Sequence, residues 1–169
     1  METFEAIFNR RSIRKYTGEK IPEDKIEQIL KAAMYAPSAM NYQPWHFIVI
    51  DKREAIDQIF KINFHAEMVK EAALAIIICG DSKLEMNIDY LVQDCSAATQ
   101  NALLAIHTLG LGAVWVSSYP NMETIEGLRK YYEIPENIIP VSIISLGYPA
   151  EQIITEDRFN KSRVHSNKW

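Results

Sequence analysis

Residues 100–116 read QNALLAIHTLGLGAVWV, and this stretch joins a helix, a turn and a strand. The helix is predicted to run from Ile88 to Leu109, because this segment has no Gly or Pro and its apolar residues recur every three or four positions. Gly110 suits the position just past a helix end. Residues 112–118, GAVWVSS, predict a strand. A long helix that leads directly into a strand predicts that helices and sheet share one core.

The rest of the chain mixes the same two elements. Further helices are predicted at 3–11, with Thr3 as the N-cap, and at 22–37, 53–62, 65–73 and 122–132. Further strands are predicted at 45–50, 74–80 and 139–148, and the strand at 74–80 is apolar on both faces, as expected for a buried central strand. The pattern predicts an α+β fold in which helices cover a sheet.

Composition indicates one soluble domain spanning residues 1–169. The chain is 48% hydrophobic and 24% charged, and no apolar run approaches the roughly 20 residues needed to cross a bilayer. The N-terminus does not resemble a signal peptide, and two cysteines, Cys79 and Cys95, do not make a disulfide framework. We therefore expect a cytoplasmic protein without a membrane partner.

Charge is concentrated at the two ends of this acidic chain, whose formal net charge is -4. Residues 10–16 read RRSIRKY, and the tail from residue 158 reads RFNKSRVHSNKW, without an acid. Either both termini are simply solvated, or both meet around one anion. Nucleic acid is not the expected partner, because the acidic remainder would repel a polyanion.

Several familiar catalytic motifs are missing from the sequence. GLGAVW has Trp115 at the third glycine position of a dinucleotide motif and precedes a strand instead of following one. The four histidines show no metal-binding spacing, and no GxSxG elbow occurs. We therefore predict no metal site and name no catalytic side chain.

The segment APSAMNYQPWHF, residues 36–47, predicts a polar loop. Pro37 and Pro44 oppose a helix and should hold the loop extended, so Ser38, Ala39 and Asn41 would present main-chain and amide groups. Such groups suit a flat heterocycle edged with carbonyls and ring nitrogens. The alternative is ordinary turn chemistry, for which Asn and Ser are common residues.

Four stretches together resemble the nitroreductase family of flavoproteins, and the resemblance covers nearly the whole chain. They are RRSIRKY, PSAMNYQPWHFIVI, QNALLAIHTLGLGAVWV and the GYP near the end. The resemblance implies a mainly antiparallel sheet, an intertwined homodimer, and flavin mononucleotide (FMN) bound at the dimer interface. NADH or NADPH would be the hydride donor.

The resemblance also implies which residues bind FMN. Arg10, Arg11 and Ser12 would hold the phosphate and ribityl chain, and Arg14 would reach either the phosphate or the pyrimidine edge of the ring. Ser117 or Ser118 would donate near the flavin N5 atom. The remaining residues are a loop that reaches the flavin of the partner subunit and a C-terminal phosphate-binding element: Pro37, Ser38, Ala39 and Asn41, then Lys161, Ser162 and Arg163. His65 either faces the ring or lies on a surface helix.

The implied activity is the transfer of electrons from NAD(P)H through FMN to a small acceptor by ping-pong kinetics. A nitroaromatic, a quinone and a free flavin all remain open as the acceptor, because this short chain lacks the helices that wall the substrate pocket of larger members. Two alternatives remain: a flavin-binding or storage module without a dedicated acceptor, and a different flavin reaction such as reductive dehalogenation or flavin destruction.

Overall fold

The structure, a computed structural model, describes residues 2–169. Five helices and four strands make up its regular elements. In chain order they are α1 Thr3–Asn9, α2 Glu23–Met34, β1 Trp45–Ile50, α3 Arg53–Ile62, β2 Leu74–Asp81, α4 Ile88–Thr108, β3 Gly112–Ser117, α5 Met122–Tyr132 and β4 Ile138–Gly147. Short 3₁₀ turns occupy Ala39–Asn41, Phe64–Lys70 and Lys161–Arg163.

The four strands form one sheet in the order β1-β2-β4-β3, and every neighbouring pair is antiparallel. This confirms the α+β fold with a mainly antiparallel sheet. The register between β2 and β4 slips at Ile78 and Cys79, where Cys79 pairs with Pro140. Proline has no N–H for the ladder, and a register slip is where a sheet tolerates it.

Both faces of the sheet are covered, so the core has two halves. On one face, α2 and α4 pack against Leu74, Ile76 and Ile78 of β2. On the other face, α3, α5 and the 3₁₀ turn at Phe64–Lys70 pack against the alternate β2 residues, Ala75, Ile77 and Cys79. Alternation along the strand sends successive side chains to opposite faces, which explains why β2 is apolar throughout.

Two predicted helices differ in the structure. The prediction that Thr3 caps α1 was wrong, because Glu2 is the N-cap and Thr3 is already helical. This helix also ends at Asn9, so Arg10 and Arg11 lie outside it. The helix predicted at 65–73 is a run of 3₁₀ turns that ends at Lys70, with a kink at Ala66.

The basic RRSIRKY segment runs along the exposed edge of β3. Ser12 forms a parallel bridge with Ala113, and the Ile13 N–H donates to the Ala113 carbonyl at 2.9 Å. Gly112 permits this approach, because a Cβ there would lie 2.7 Å from the Ile13 side chain. The buried Tyr16 hydroxyl lies 2.6 Å from the carbonyl oxygen of Ile13 and 3.0 Å from that of Ser145, and it fixes the far end of the segment.

The C-terminal tail and parts of the helical layer remain open to solvent. All residues from 152 to 169 are exposed, as are most of the Phe4 and Phe8 side chains, whose rings stack at 5.7 Å on α1. Within residues 2–169, no helix combines the length and the apolar character needed to span a membrane.

Candidate functional site

Arginine side chains without acidic partners cluster where the RRSIRKY segment leaves α1. Within residues 2–169, the Lys and Arg side chains that lie within 4.0 Å of a carboxylate are Arg53, Lys70 and Arg129, all elsewhere. Burial, and then the charges of Arg158 and Arg11, lower the pKa of Arg10. Partly buried cations that repel one another are stabilised by a bound anion, so this cluster can hold one.

Arg11 differs from Arg10 because part of its guanidinium is already used. One nitrogen donates to the Phe8 carbonyl at 2.7 Å and the Arg10 carbonyl at 2.8 Å. These bonds satisfy main-chain oxygens at the C-terminal end of α1. Arg11 therefore shapes the turn that presents Arg10, and its remaining guanidinium nitrogen points towards the tail, 3.4 Å from the Glu156 carbonyl.

Arg14 faces a different place, a cavity of about 270 Å³ along β3. His65 and Ser117 share this cavity with apolar side chains, Met68, Val114, Trp115 and Val116. The main-chain N–H groups of Arg14 and Lys15 both donate to the Glu151 carboxylate, at 2.6 and 3.1 Å. Glu151 thus fixes the backbone while the Arg14 side chain stays available to a ligand.

Of the two serines predicted near N5, only Ser117 reaches this cavity. Ser118 is fully buried, and its N–H donates to the Val141 carbonyl at 3.1 Å. Asn63 secures the end of β3: its amide nitrogen lies 3.3 Å from the Ser117 carbonyl oxygen, and its amide oxygen accepts from the His65 N–H at 3.0 Å. His65 is therefore held beside Ser117, on a 3₁₀ turn instead of a surface helix.

The loop from Pro37 to Asn41 is not extended as predicted. Ala39–Asn41 form a 3₁₀ turn, and Met40, Asn41 and Gln43 have left-handed φ angles of 49°, 60° and 49°. Two proline rings restrict their own positions and the residue before each, but they leave the residues between free to turn. The Gln43 N–H donates to the Ser38 hydroxyl at 2.9 Å, and the Gln43 side chain donates to the Asn41 amide oxygen at 2.9 Å.

Within one chain, Lys161 and Arg163 do not complete the arginine cluster. They lie in an exposed 3₁₀ turn capped by the Asn160 side chain. The tail residues beside Arg11 are instead 155–159, which line a groove of about 730 Å³ with Ile7 and Phe8. Arg158 is therefore the tail cation next to Arg10, a residue that the sequence did not single out.

The sequence analysis did not identify two further residues near the site, Asp94 and Asn63. Asp94 is 6% exposed, and its carboxylate accepts from the Ala39 N–H at 2.9 Å. The sequence held a signal for Asp94, because it occupies the apolar stripe of α4 between Leu91 and Ala98. The sequence held no comparable signal for Asn63, whose partners lie on a turn and on a strand 54 residues away.

The family assignment follows from comparison with known proteins. The sequence profile of the Nitroreductase family matches residues 7–83 and 63–148. The chain belongs to this family. A nitroreductase-family protein of Methanothermobacter thermautotrophicus, named provisionally as an NADH dehydrogenase/NAD(P)H nitroreductase, is 52% identical over 100% of this chain and 88% of its own length.

Solved nitroreductase structures share the fold. A crystal structure from Parabacteroides distasonis, with the same provisional name, has a TM-score of 0.94 at 40% identity, covering 99% of this chain and 98% of the other. A protein from Desulfovibrio desulfuricans, named provisionally as a nitroreductase and solved in complex with FMN, has a TM-score of 0.85 at 31% identity, covering 100% of this chain and 99% of the other. This chain and the two solved chains therefore cover one another almost entirely.

Proposed function

We propose that this protein is an FMN-dependent oxidoreductase that takes hydride from NADH or NADPH and reduces a nitroaromatic, quinone or flavin-type acceptor. The observation that carries the proposal is the arginine cluster without acidic partners, which lies on the same segment as the Arg14–Ser117 cavity. The arginine cluster suits a phosphate, and the cavity beside Arg14 and Ser117 suits the polar edge of a ring. The FMN complex of the Desulfovibrio relative supports the choice of cofactor.

The chain's own residues fit FMN in a consistent order. Arg10 and Ser12, with Arg11 beside them, would hold the phosphate and ribityl chain, and Arg158 adds a further cation. Lys161 and Arg163 would join the phosphate site from the exposed end of the tail or from a second copy. Arg14 on the same segment and Ser117 at the end of β3 would meet the ring. The polar loop, with Pro37, Ser38, Ala39 and Asn41, would approach the ring from the partner subunit.

When bound, FMN supplies the two-electron chemistry, and the protein supplies position and charge. The guanidinium of Arg14 stabilises negative charge at the pyrimidine edge of an electron-rich ring. No acidic side chain is required, because water delivers the second proton to many acceptors. Donor and acceptor use the same cavity in turn, which gives ping-pong kinetics.

A homodimer is part of this proposal. The tail from residue 152 and the stacked Phe4 and Phe8 rings leave apolar side chains, including Ile154, Phe159 and Trp169, without cover in a single chain. A second copy would cover them and bring its polar loop to the flavin. Ala98 and Ala102, two small residues of α4, do not take part in this interface, because they already pack inside the chain.

Two measurements on the purified protein test the proposal. Bound flavin should give absorbance maxima at about 370 and 450 nm, and addition of NADH or NADPH should bleach the longer-wavelength band. Steady-state rates with a quinone or a nitroaromatic should give parallel double-reciprocal lines. A colourless protein that takes up no FMN would contradict the proposal, and a yellow protein without turnover would indicate a storage module.

A further inference from the structure

The polar loop, residues 37–43, is held to the body of the protein by a side chain that the proposed function does not use. The Ala39 N–H donates to one carboxylate oxygen of Asp94 at 2.9 Å, across 55 residues of sequence. Asp94 lies on α4, the long helix whose buried stripe is fixed against the sheet. The loop's other side-chain hydrogen bonds, between Ser38, Asn41 and Gln43, are internal to it.

The loop needs such a tether because its backbone is strained. Met40, Asn41 and Gln43 all have left-handed φ angles, and none of them is glycine. Residues in that region persist only where the surroundings impose the conformation, and they concentrate at binding sites. Internal hydrogen bonds shape the loop, but they do not determine where it sits relative to the rest of the chain.

Asp94 is poorly suited to a purely stabilising role. Asp94 is 6% exposed, and its second carboxylate oxygen is buried without a hydrogen-bond partner within residues 2–169. Burial, followed by the charge of Glu85, raises the pKa of the Asp94 carboxyl. A buried carboxyl that is only half satisfied opposes folding, and an apolar side chain of similar size would pack at this position at lower cost.

We propose that Asp94 is a positioning residue, which holds the Ala39 N–H so that residues 38–41 keep the shape that meets the flavin ring. The inference rests on the proposed function, because it assumes that this loop contacts FMN. It assigns Asp94 no contact with the cofactor or the substrate. Its effect is to have the loop ordered before the flavin binds, which lowers the entropy cost of binding.

The test separates the hydrogen bond from the charge and from the fold. Asp94→Leu removes the acceptor, whereas Asp94→Asn keeps an amide oxygen that can still accept from Ala39. Ala39→Pro removes the donor instead, and the extended Ser38 backbone, with φ -138° and ψ 156°, suits a residue that precedes proline. Thr99→Val is the matched control, because Thr99 is a buried, hydrogen-bonded residue on α4 that does not touch the loop.

FMN dissociation constants and apo-protein unfolding are measured for each variant. Asp94→Leu and Ala39→Pro should each weaken FMN binding at least tenfold and shift the flavin spectrum, and the double variant should be no weaker than either single one. Asp94→Asn should stay within about threefold of the wild type. The Leu variant's apo protein should be as stable as the wild type or more so, and Thr99→Val should lose stability with FMN affinity unchanged.

The inference is overturned if Asp94→Leu binds FMN as the wild type does, or if Asp94→Asn loses as much affinity as Asp94→Leu. Should Asp94→Leu not fold, Asp94→Ala takes its place, because it also removes the acceptor, and Ala39→Pro changes a loop residue that itself approaches the flavin. These results are distinct from failure of the proposed function, in which the wild type itself would not bind FMN.

Discussion

Arg10 is a partly buried cation, and burial and then the positive charges of Arg158 and Arg11 lower its pKa. If Arg10 binds the FMN phosphate, Arg10→Ala should weaken FMN binding by about 1.5–3 kcal/mol, roughly 10- to 150-fold, because a charged hydrogen bond is lost. Riboflavin, which has no phosphate, should bind the variant and the wild type equally. Arg163→Ala should behave the same way if the tail reaches the phosphate.

Lys130→Ala is the control for the Arg10 experiment, because it removes one exposed positive charge from α5 on the other side of the sheet. Lys130→Ala should leave the affinities for FMN and for riboflavin unchanged. Equal losses for FMN and riboflavin in Arg10→Ala would show that Arg10 supports the fold and does not read the phosphate.

Asn41 is either a flavin contact or a turn residue only. Its φ angle is 60°, and its amide oxygen already accepts from the Gln43 side chain. Replacement by alanine would mix backbone strain with loss of the amide. Asn41→Gly removes the amide and keeps the φ angle accessible, so it isolates the side chain. We expect Asn41→Gly to shift the flavin absorbance or reduction potential and to slow turnover, because the amide NH₂ remains available to a ring carbonyl.

The apo stability of Asn41→Gly should change by less than about 1 kcal/mol, as expected for an exposed loop position. A destabilised variant with wild-type spectrum, potential and turnover would identify Asn41 as a turn residue only. Denaturant unfolding and a reductive titration of the same samples distinguish the two outcomes.

Between elements, the contact that positions the RRSIRKY segment is the one between Ile13 and Gly112 of β3. Gly112→Ala would place a Cβ 2.7 Å from Ile13, so the segment would have to move away from the strand. We expect a loss of about 1–3 kcal/mol in unfolding free energy, together with weaker FMN binding. Gly127→Ala creates a similar clash, 2.6 Å from Ile62, on the opposite face of the sheet. It should leave the affinity of the folded protein unchanged, and equal losses of affinity in both variants would contradict this role for Gly112.

The proximity of α4 to the turn that carries Arg10 and Arg11 should make the stability of the apo protein depend on pH. Burial, and then the charge of Arg10, lower the pKa of His107 on α4. The unfolded chain, in which His titrates near 6.5, then binds the proton more readily than the folded chain does. The folded protein therefore has its full stability above about pH 6.5 and loses part of it as the pH falls towards the lowered pKa of His107. His107→Gln should therefore lose less stability than the wild type between about pH 7.5 and 5.5. Equal losses in denaturant titrations would exclude His107 as the cause.

At the scale of the whole molecule, the prediction is a homodimer with two FMN sites and an interface of well over ~2,000 Å². Phe8→Glu should weaken both the dimer and FMN binding, because it places a charge among the exposed rings of α1. Met122→Glu is the control, since Met122 is equally open but lies on α5. Sedimentation of a yellow wild-type monomer at micromolar concentration would contradict this prediction, as would a Phe8→Glu protein that is dimeric and fully loaded.

Local sequence patterns determined the layout of the fold. The alternation of β2 and the three-to-four spacing of α4 report which faces are buried, and burial is what drives both elements to form. The antiparallel order, the dimer and the flavin residues came from resemblance to a family and not from periodicity. Of these, the sheet and the family are confirmed, whereas the dimer and the individual flavin contacts stay predictions.

Only the tertiary structure decided which polar groups meet. Asp94 holds Ala39 across 55 residues, and Asn63 joins the end of β3 to the turn that carries His65. The loop between Pro37 and Pro44 turns instead of extending, and Arg158 lies beside Arg10 where Lys161 and Arg163 were expected. Hydrogen bonds and charge contacts of this kind depend on the distance between atoms after folding, and a linear pattern of residue types does not encode that distance.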